Sequence, residues 1–326
     1  MAKVLVASAF YNESWNAEQT VQSILSQTFS DIELVCVDDG STDDTLAVLR
    51  SIRDPRVRII SQRNAGLGAA LRRAFAETSA EFLAYHEAGD KYDINRLAKQ
   101  IDVLEEHRNV GAVSCYSRAV SVSEDHTSEA RVEDVEEAIS NLARANPFPH
   151  SCAMYRRSAY ERAGGYREFF RYRQDLDLLL RLTETTRLAV VPEILVTTYR
   201  HSESVSVKPE KRILARRFRE FAVYCAVERR KGNPDPLEAI GPGSALAQPR
   251  SKDMASDFVK DAVKATWRGD REAAETFVKA ALGEGVSMMG LAAAIGIHLP
   301  LPVVRSAYRN LRGVRSPSDR IRQSER

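Results

Sequence analysis

Four short loops carry most of the residues able to do chemistry in this chain. Each follows a run of apolar residues: Phe10-Tyr11-Asn12-Glu13, Asp38-Asp39-Gly40-Ser41, Asn64-Ala65-Gly66 and Glu87-Ala88-Gly89-Asp90. Three of the four hold carboxylates. Carboxylates at the ends of buried strands can serve a nucleotide ligand in two ways. One accepts hydrogen bonds from a base or ribose; another holds a divalent cation that neutralises a diphosphate. Asp43 and Asp44, which open a helical segment, suit the plainer role of helix-terminal acids. No GxGxxG or GxxxxGK[ST] follows the first apolar run, and no GxSxG elbow occurs. The signatures of dinucleotide enzymes, P-loop NTPases and α/β-hydrolases are therefore missing.

Loops of this kind need a frame that gathers them. The first half alternates short apolar runs with helical periodicity. Strands are expected at Lys3–Ala9, Ile32–Val37, Val57–Ser61, Glu81–His86 and Ala112–Tyr116. Helices are expected at 15–27, Leu46–Ile52, Gly66–Thr78 and Ile94–Glu106. Such βαβ units build a mainly parallel sheet with helices on both faces. Ligands then bind beyond the carboxyl ends of the strands, where these loops lie. Further on, 121–145 reads as a loop and a helix, Ser151–Arg156 as a strand and Ser158–Ala163 as a short helix. Leu176–Leu182 is an apolar helix, and Leu188–Val191 and Leu195–Tyr199 are two strands. A basic helix covers 208–230. The Pro- and Gly-containing stretch 231–253 reads as a linker. Two alanine-rich helices follow at about 254–267 and 271–283, then an apolar stretch and a tail, 305–326, with seven arginines. The expected division is a domain from 1 to 230, the linker, and a helical C-terminal region from 254 to 326.

Composition trims the field. The chain has 326 residues, with 47 basic against 45 acidic side chains and a net charge of +2. That balance argues against a nucleic-acid partner. The four cysteines are scattered, without CxxC, which argues against a disulfide scaffold or zinc cluster and suits a reducing cytoplasm. The apolar run after Met1 is too short for a signal peptide and has no cleavage site, so none is expected, and His298, Pro300 and Pro302 break the apolar stretch 286–304, so no membrane span is expected there. A cytoplasmic location is expected, with the Arg-rich tail able to draw the protein to the inner face of an anionic membrane.

Seven segments, in this order, resemble the family 2 glycosyltransferases. They are YNE at 11–13, SILSQTFSDIELVCVDDGSTDDT at 23–45, NAGLGAAL at 64–71 and EFLAYHEAGDKYDINRLAKQ at 81–100. GGYRE at 164–168, QDLDLLLRL at 174–182 and YRHSESVS at 199–206 complete the set. The resemblance runs from residue 3 to about 206. It implies a GT-A fold, Rossmann-like, with a small helical C-terminal region appended. It implies transfer of a sugar, with inversion, from a nucleotide diphosphate donor, UDP-linked by expectation, to an acceptor hydroxyl. The acceptor would be a saccharide, a lipid-linked saccharide or a protein, as in polysaccharide or glycoconjugate biosynthesis. The nucleotide set implied is Phe10, Tyr11, Glu13, Asp39, Gly66 and Arg72, with Tyr11 against the base and Asp39 accepting from uracil. Asp175 matches the general base, with Gln174 replacing the usual Glu before it. Asp177 is expected to be solvated or structural.

The chain departs from the family at the metal motif. Relatives carry an Asp-x-Asp-like run after the fourth strand; here Glu87 replaces the first acid and Gly89 stands at the principal ligand position. Asp90, then Glu87, with His201 from the YRHSESVS segment, are the expected ligands of Mn²⁺ or Mg²⁺. Two other readings remain: a nucleotide-sugar binder that has lost catalysis, and a nucleotidyltransferase. The second would need a Gly-rich basic loop after the first strand, which Ala9-Phe10-Tyr11-Asn12 does not provide.

Overall fold

The computed structural model describes residues 2–121, 126–143, 146–200, 208–246 and 248–285. The alternation read from the sequence is present. Strands β1 (Val4–Phe10), β2 (Ile32–Asp38), β3 (Val57–Ser61) and β4 (Phe82–Tyr85) run parallel in the order β3-β2-β1-β4. The two central strands are almost wholly buried, which is why they read as continuous apolar runs and not as alternation. Helices α1 (Ala17–Leu25), α2 (Thr45–Ser51) and α3 (Leu67–Ala76) make the crossovers. Each buries a stripe, such as Ala17, Val21 and Ile24 on α1 and Ala70, Leu71, Ala74 and Phe75 on α3. Register then fixes the site. Phe10 pairs with Asp38 and Asp38 with Ser61, so three strand ends are level and their loops leave the same edge. β4 ends opposite Ala7, so its loop starts deeper.

Beyond β4 come β5 (Lys91–Tyr92), α4 (Arg96–Glu106), β6 (Val110–Ser121) and β7 (His126–Ala130). Then follow α5 (Val135–Ser140), β8 (Met154–Arg156), α6 (Arg157–Arg162), α7 (Gln174–Leu182) and β9 (Arg187–Arg200). The sheet continues β4-β8-β6-β9-β5, with β7 paired to β6. β8 is antiparallel to both neighbours, whereas β6 and β9 are parallel. Two expectations differ here. β6 is longer than Ala112–Tyr116 and its hairpin partner β7 lies where a loop was expected. The two strands expected at 188–199 are one strand, β9, whose register against β6 slips near Pro192. Proline lacks the N–H a ladder needs, so the sequence breaks where the strand does not.

A long helix, α8 (Pro209–Arg230), leads to α9 (Pro236–Ile240), α10 (Lys252–Arg268) and α11 (Arg271–Glu284). The chain divides into two compact units. One holds 1–204 with 221–245, the other 205–220 with 246–326. The stretch expected to be a linker therefore starts as part of the first unit. Asp235 is buried, caps α9 by accepting from Leu237 N, and receives Arg167 at 2.9 Å. The second unit has its own core of Met254, Phe258, Ala262, Ala274, Phe277 and Ala281 from α10 and α11. Ser251 and Asp270 cap those helices, and Gly269, at φ 84°, ends the first. No helix among the described residues is long and apolar enough to cross a membrane. The Arg-rich tail lies outside the described residues.

Candidate active site

The first two loops are laced together. Asn12 takes a left-handed conformation, φ 57°, and its Oδ1 accepts from Thr42 N at 2.8 Å while its own N–H donates to Ser41 Oγ. Glu13 N donates to Thr45 Oγ1 at 2.8 Å and Ser14 N to Asp43 Oδ2. The Thr45 hydroxyl bonded to Asp43 holds that carboxyl low, at about 2, as suits a helix-entry acid. Tyr11 is thereby held at the edge with its ring 51% exposed. Phe10 is different. Its side chain belongs to the hydrophobic core, and its contribution is a carbonyl that receives Asp39 N at 2.8 Å. It supports the nucleotide loops and does not face them, because the last residue of a buried strand still points inward.

Asp39 is 5% exposed and does structural work as well. Its Oδ1 accepts from Gln62 Nε2 (2.8 Å) and Ala65 N (2.9 Å), and its Oδ2 from Gly66 N (2.8 Å). A carboxylate has about four acceptor positions, so one remains for a ligand. Gly66, at φ 89°, opens α3 with no neighbour within 4 Å of where a Cβ would stand. Arg72 is an exposed arginine on α3, paired loosely with Glu168 at 3.4 Å.

The fourth loop holds the acids expected to bind metal. Gly89 N donates to Thr20 Oγ1 at 3.2 Å, and Gly89 has φ +82°, a conformation that favours glycine. A Cβ there would come 2.9 Å from Asn16 Nδ2, which itself donates to Glu13 Oε2. Asp90 Oδ1 accepts from Tyr199 N at 3.3 Å. Asp90 Oδ2 is sealed from solvent and accepts no hydrogen bond of normal geometry, with the Ser151 hydroxyl alongside. Burial raises the Asp90 carboxyl, against the pull of the Tyr199 amide, Ser151 and Arg96. The protein crowded around Glu87 raises that carboxyl too, followed by the charges of Asp90, Asp175 and Glu13, although solvent reaches it and tempers the effect. Four of the carboxylates singled out in the sequence therefore share one electrostatic neighbourhood: Glu13, Glu87, Asp90 and Asp175. Among the described residues no three His, Cys, Asp or Glu side chains form a closed metal site. A carboxylate whose Oδ2 accepts no hydrogen bond of normal geometry, beside a second acid, does fit a Mg²⁺ or Mn²⁺ ion held mainly by phosphate oxygens. His201 lies outside the described residues.

Under this loop sits Arg96, which sequence reasoning missed. It is 0% exposed and donates to Tyr85 O (3.0 Å), Ala153 O (3.2 Å) and Gln100 Oε1 (3.0 Å), with Tyr92 over its face. Gln100 in turn donates to Cys152 O and Val113 O. The signal was available. Arg96 and Gln100 fall on the same stripe of α4 as Leu97, Ile101 and Leu104, so two polar residues had to be inside. A buried guanidinium close to Asp90 supplies fixed positive charge beneath the acid loop.

Asp175 lies in the first turn of α7, half-buried, where the helix terminus favours an anion. Its Oδ2 accepts from Asn146 Nδ2 at 3.0 Å. Gln174 is buried, and its Oε1 has no hydrogen-bond partner. Asp177, two residues on, is not solvated. It is clamped by Arg167 and, at 2.6 Å, by Arg181.

Comparison with known proteins places the family and the fold. Residues 6–164 match the family described as Glycosyl transferase family 2. EpsE of Bacillus subtilis (strain 168), named as a glycosyltransferase, is 31% identical over 188 residues, covering 56% of this chain and 67% of EpsE. The amylovoran biosynthesis glycosyltransferase AmsE of Erwinia amylovora is 27% identical over 214 residues, 63% of this chain and 79% of AmsE. The chain spans 29% of the chondroitin synthase of Escherichia coli. Solved structures share the fold. Mannosyltransferase PcManGT from Pyrobaculum calidifontis, in complex with GDP-Man and Mn²⁺, superposes with a TM-score of 0.54 at 19% identity, over 95% of this chain and 87% of that one. S. aureus TarS 1–349 in complex with UDP-GlcNAc gives 0.57 at 17% identity, over 94% and 92%. The curled sheet of mostly parallel strands with flanking helices is the GT-A fold, and the chain belongs to glycosyl transferase family 2.

Proposed function

We propose that the protein transfers a sugar, with inversion, from a nucleoside diphosphate donor, UDP by preference, to an acceptor hydroxyl. The observation that carries this reading is the cluster of Glu13, Glu87, Asp90 and Asp175 at the carboxyl edge of the sheet. In one step the acceptor hydroxyl loses its proton to Asp175 as its oxygen bonds to the anomeric carbon. The bond from that carbon to the diphosphate oxygen breaks, and its electrons leave with the diphosphate. Asp90, and then Glu87, would hold a divalent cation, which supplies positive charge to the leaving diphosphate. The test is binding of UDP, GDP and ADP, alone and as sugar conjugates, with and without Mn²⁺. A ligand at 100 times its Kd stabilises the fold by about 2.7 kcal/mol, readable as a melting shift. UDP is expected to bind best, and Mn²⁺ to strengthen it in the wild type but not in Asp90→Ala. Undiminished transfer in excess EDTA, unchanged in Asp90→Ala, would remove the metal.

For the base, Tyr11 covers the ring and Asp39 offers its remaining acceptor position to uracil N3. Asp39→Ala should weaken UDP by about 1–3 kcal/mol in calorimetry, the scale of a hydrogen bond to a charged group. Equal affinity of the wild type for all three diphosphates would discard this assignment. Gly89 keeps a second reading open, a nucleotide-sugar binder without turnover. Release of diphosphate from a bound donor separates the two.

A further inference from the structure

Between α5 and β8 the chain reads Asn146-Pro147-Phe148-Pro149, ahead of the short 3₁₀ turn His150–Cys152. Two prolines fix two backbone torsions here, and each restricts the residue before it to extended conformations. Phe148 is buried and pins the segment. It lines, with His150, Tyr155 and Asp175, a cavity of about 10 Å³ behind the proposed base, room for about one water. Asn146 is therefore held on a stiff strap against Asp175.

Its carboxamide has only one useful orientation. Asn146 Oδ1 accepts from Phe148 N at 3.0 Å, closing an Asx turn, and Nδ2 donates to Asp175 Oδ2 at 3.0 Å. Flipping the amide would set an N–H₂ against the Phe148 N–H and a carbonyl against the carboxylate, losing both bonds. The turn thus dictates that a donor faces Asp175. A fixed donor on Oδ2 holds the carboxylate in one rotamer. One carboxylate oxygen is occupied, leaving Oδ1 for the incoming hydroxyl. The other ionisable groups whose charge is coupled to Asp175 are Glu87, His150, Tyr85, Tyr155 and Tyr166. His150 Nε2 is hydrogen-bonded to Tyr166 Oη at 2.7 Å, and Tyr166 Oη donates to Tyr155 Oη at 3.3 Å, so these groups are engaged with one another and Asn146 is the side chain that donates to Asp175.

We infer that Asn146 is a positioning residue for Asp175, holding the carboxylate in one rotamer and aimed at the acceptor. This rests on Asp175 being the base, and the experiment separates the two ideas. Asn146→Asp keeps the Asx turn, for which Asp serves as well as Asn, but replaces the donor by a like charge. Asn146→Ala removes both. Full-length wild type, both variants and Asp175→Asn are compared by melting temperature, donor KM and kcat for diphosphate release. Turnover falls about tenfold in both with donor KM unchanged. In the Asp175→Asn background Asn146→Ala has no further effect on turnover. A merely structural Asx turn would leave Asn146→Asp like the wild type in kcat as well as in donor KM, and that result overturns the inference. Wild-type turnover in Asp175→Asn alone would overturn the base instead.

Discussion

Asp175→Asn should fold, bind donor as the wild type does, and transfer sugar at least about 10²-fold more slowly. That is the usual scale for removing a general base. The substitution is nearly isosteric, and Asp175 is half-buried at a helix terminus and takes no part in the Arg167–Asp177–Arg181 ion pairs, so stability is not what it tests. The comparison is single-turnover transfer by wild type and variant at equal donor saturation, with calorimetry as the binding control. A loss confined to kcat, with donor affinity unchanged, is the expected pattern. Unchanged turnover would move the base to another acid of the cluster, with Glu87 first in line because its carboxyl is raised toward neutrality.

Two residues further along the same helix the expected loss is of a different kind. Asp177 is 1% exposed and shared by Arg167 and Arg181, while Arg167 also reaches Asp235 at 2.9 Å. Arg181 in addition donates to Gly165 O at 2.8 Å. Asp177→Ala leaves two buried guanidinium groups short of their counter-charge. Breaking a buried pair in this way costs about 3–5 kcal/mol. For a unit of this size, at about 2–4 °C per kcal/mol, the melting temperature should fall by about 6–20 °C. Donor affinity measured well below the new midpoint should be retained. A midpoint within about 2 °C of the wild type would mean that water or a shifted side chain replaces the carboxylate.

These two aspartates show how far the sequence could be read. Both stand in QDLDLLLRL, and periodicity puts both at the start of an apolar helix. It does not say which turns inward, because the decision lies with Arg167, ten residues away, and Asp235, fifty-eight residues away, once folded. The parallel core was legible because β1 and β2 bury both faces and so read as unbroken apolar runs. The site loops followed, since the carboxyl edge of such a sheet is defined by strand direction alone. Phe10 was misassigned to the ligand for want of a rule that says where a strand stops facing the core. Residues 231–245 looked like a linker because Pro and Gly mark turns whether or not the segment packs. Asn146 gave little signal in isolation. Its meaning comes from a contact twenty-nine residues away, while Arg96 and Gln100 could have been found by asking why two polar residues share a buried stripe.

Gly89 has a consequence for how this loop could be altered. Placing an acid at that position is a single substitution on paper. In the folded chain the new Cβ would meet Asn16 Nδ2 at 2.9 Å, in a backbone conformation that side chains seldom adopt. Asn16 is buried and engaged with Glu13, so it does not swing away freely. An aspartate at 89 would push the Asn16 carboxamide off Glu13 and hold its own backbone in a conformation that side chains seldom adopt. An acid at position 89 is therefore best introduced together with a smaller residue at 16, and the single change carries the strain of both contacts.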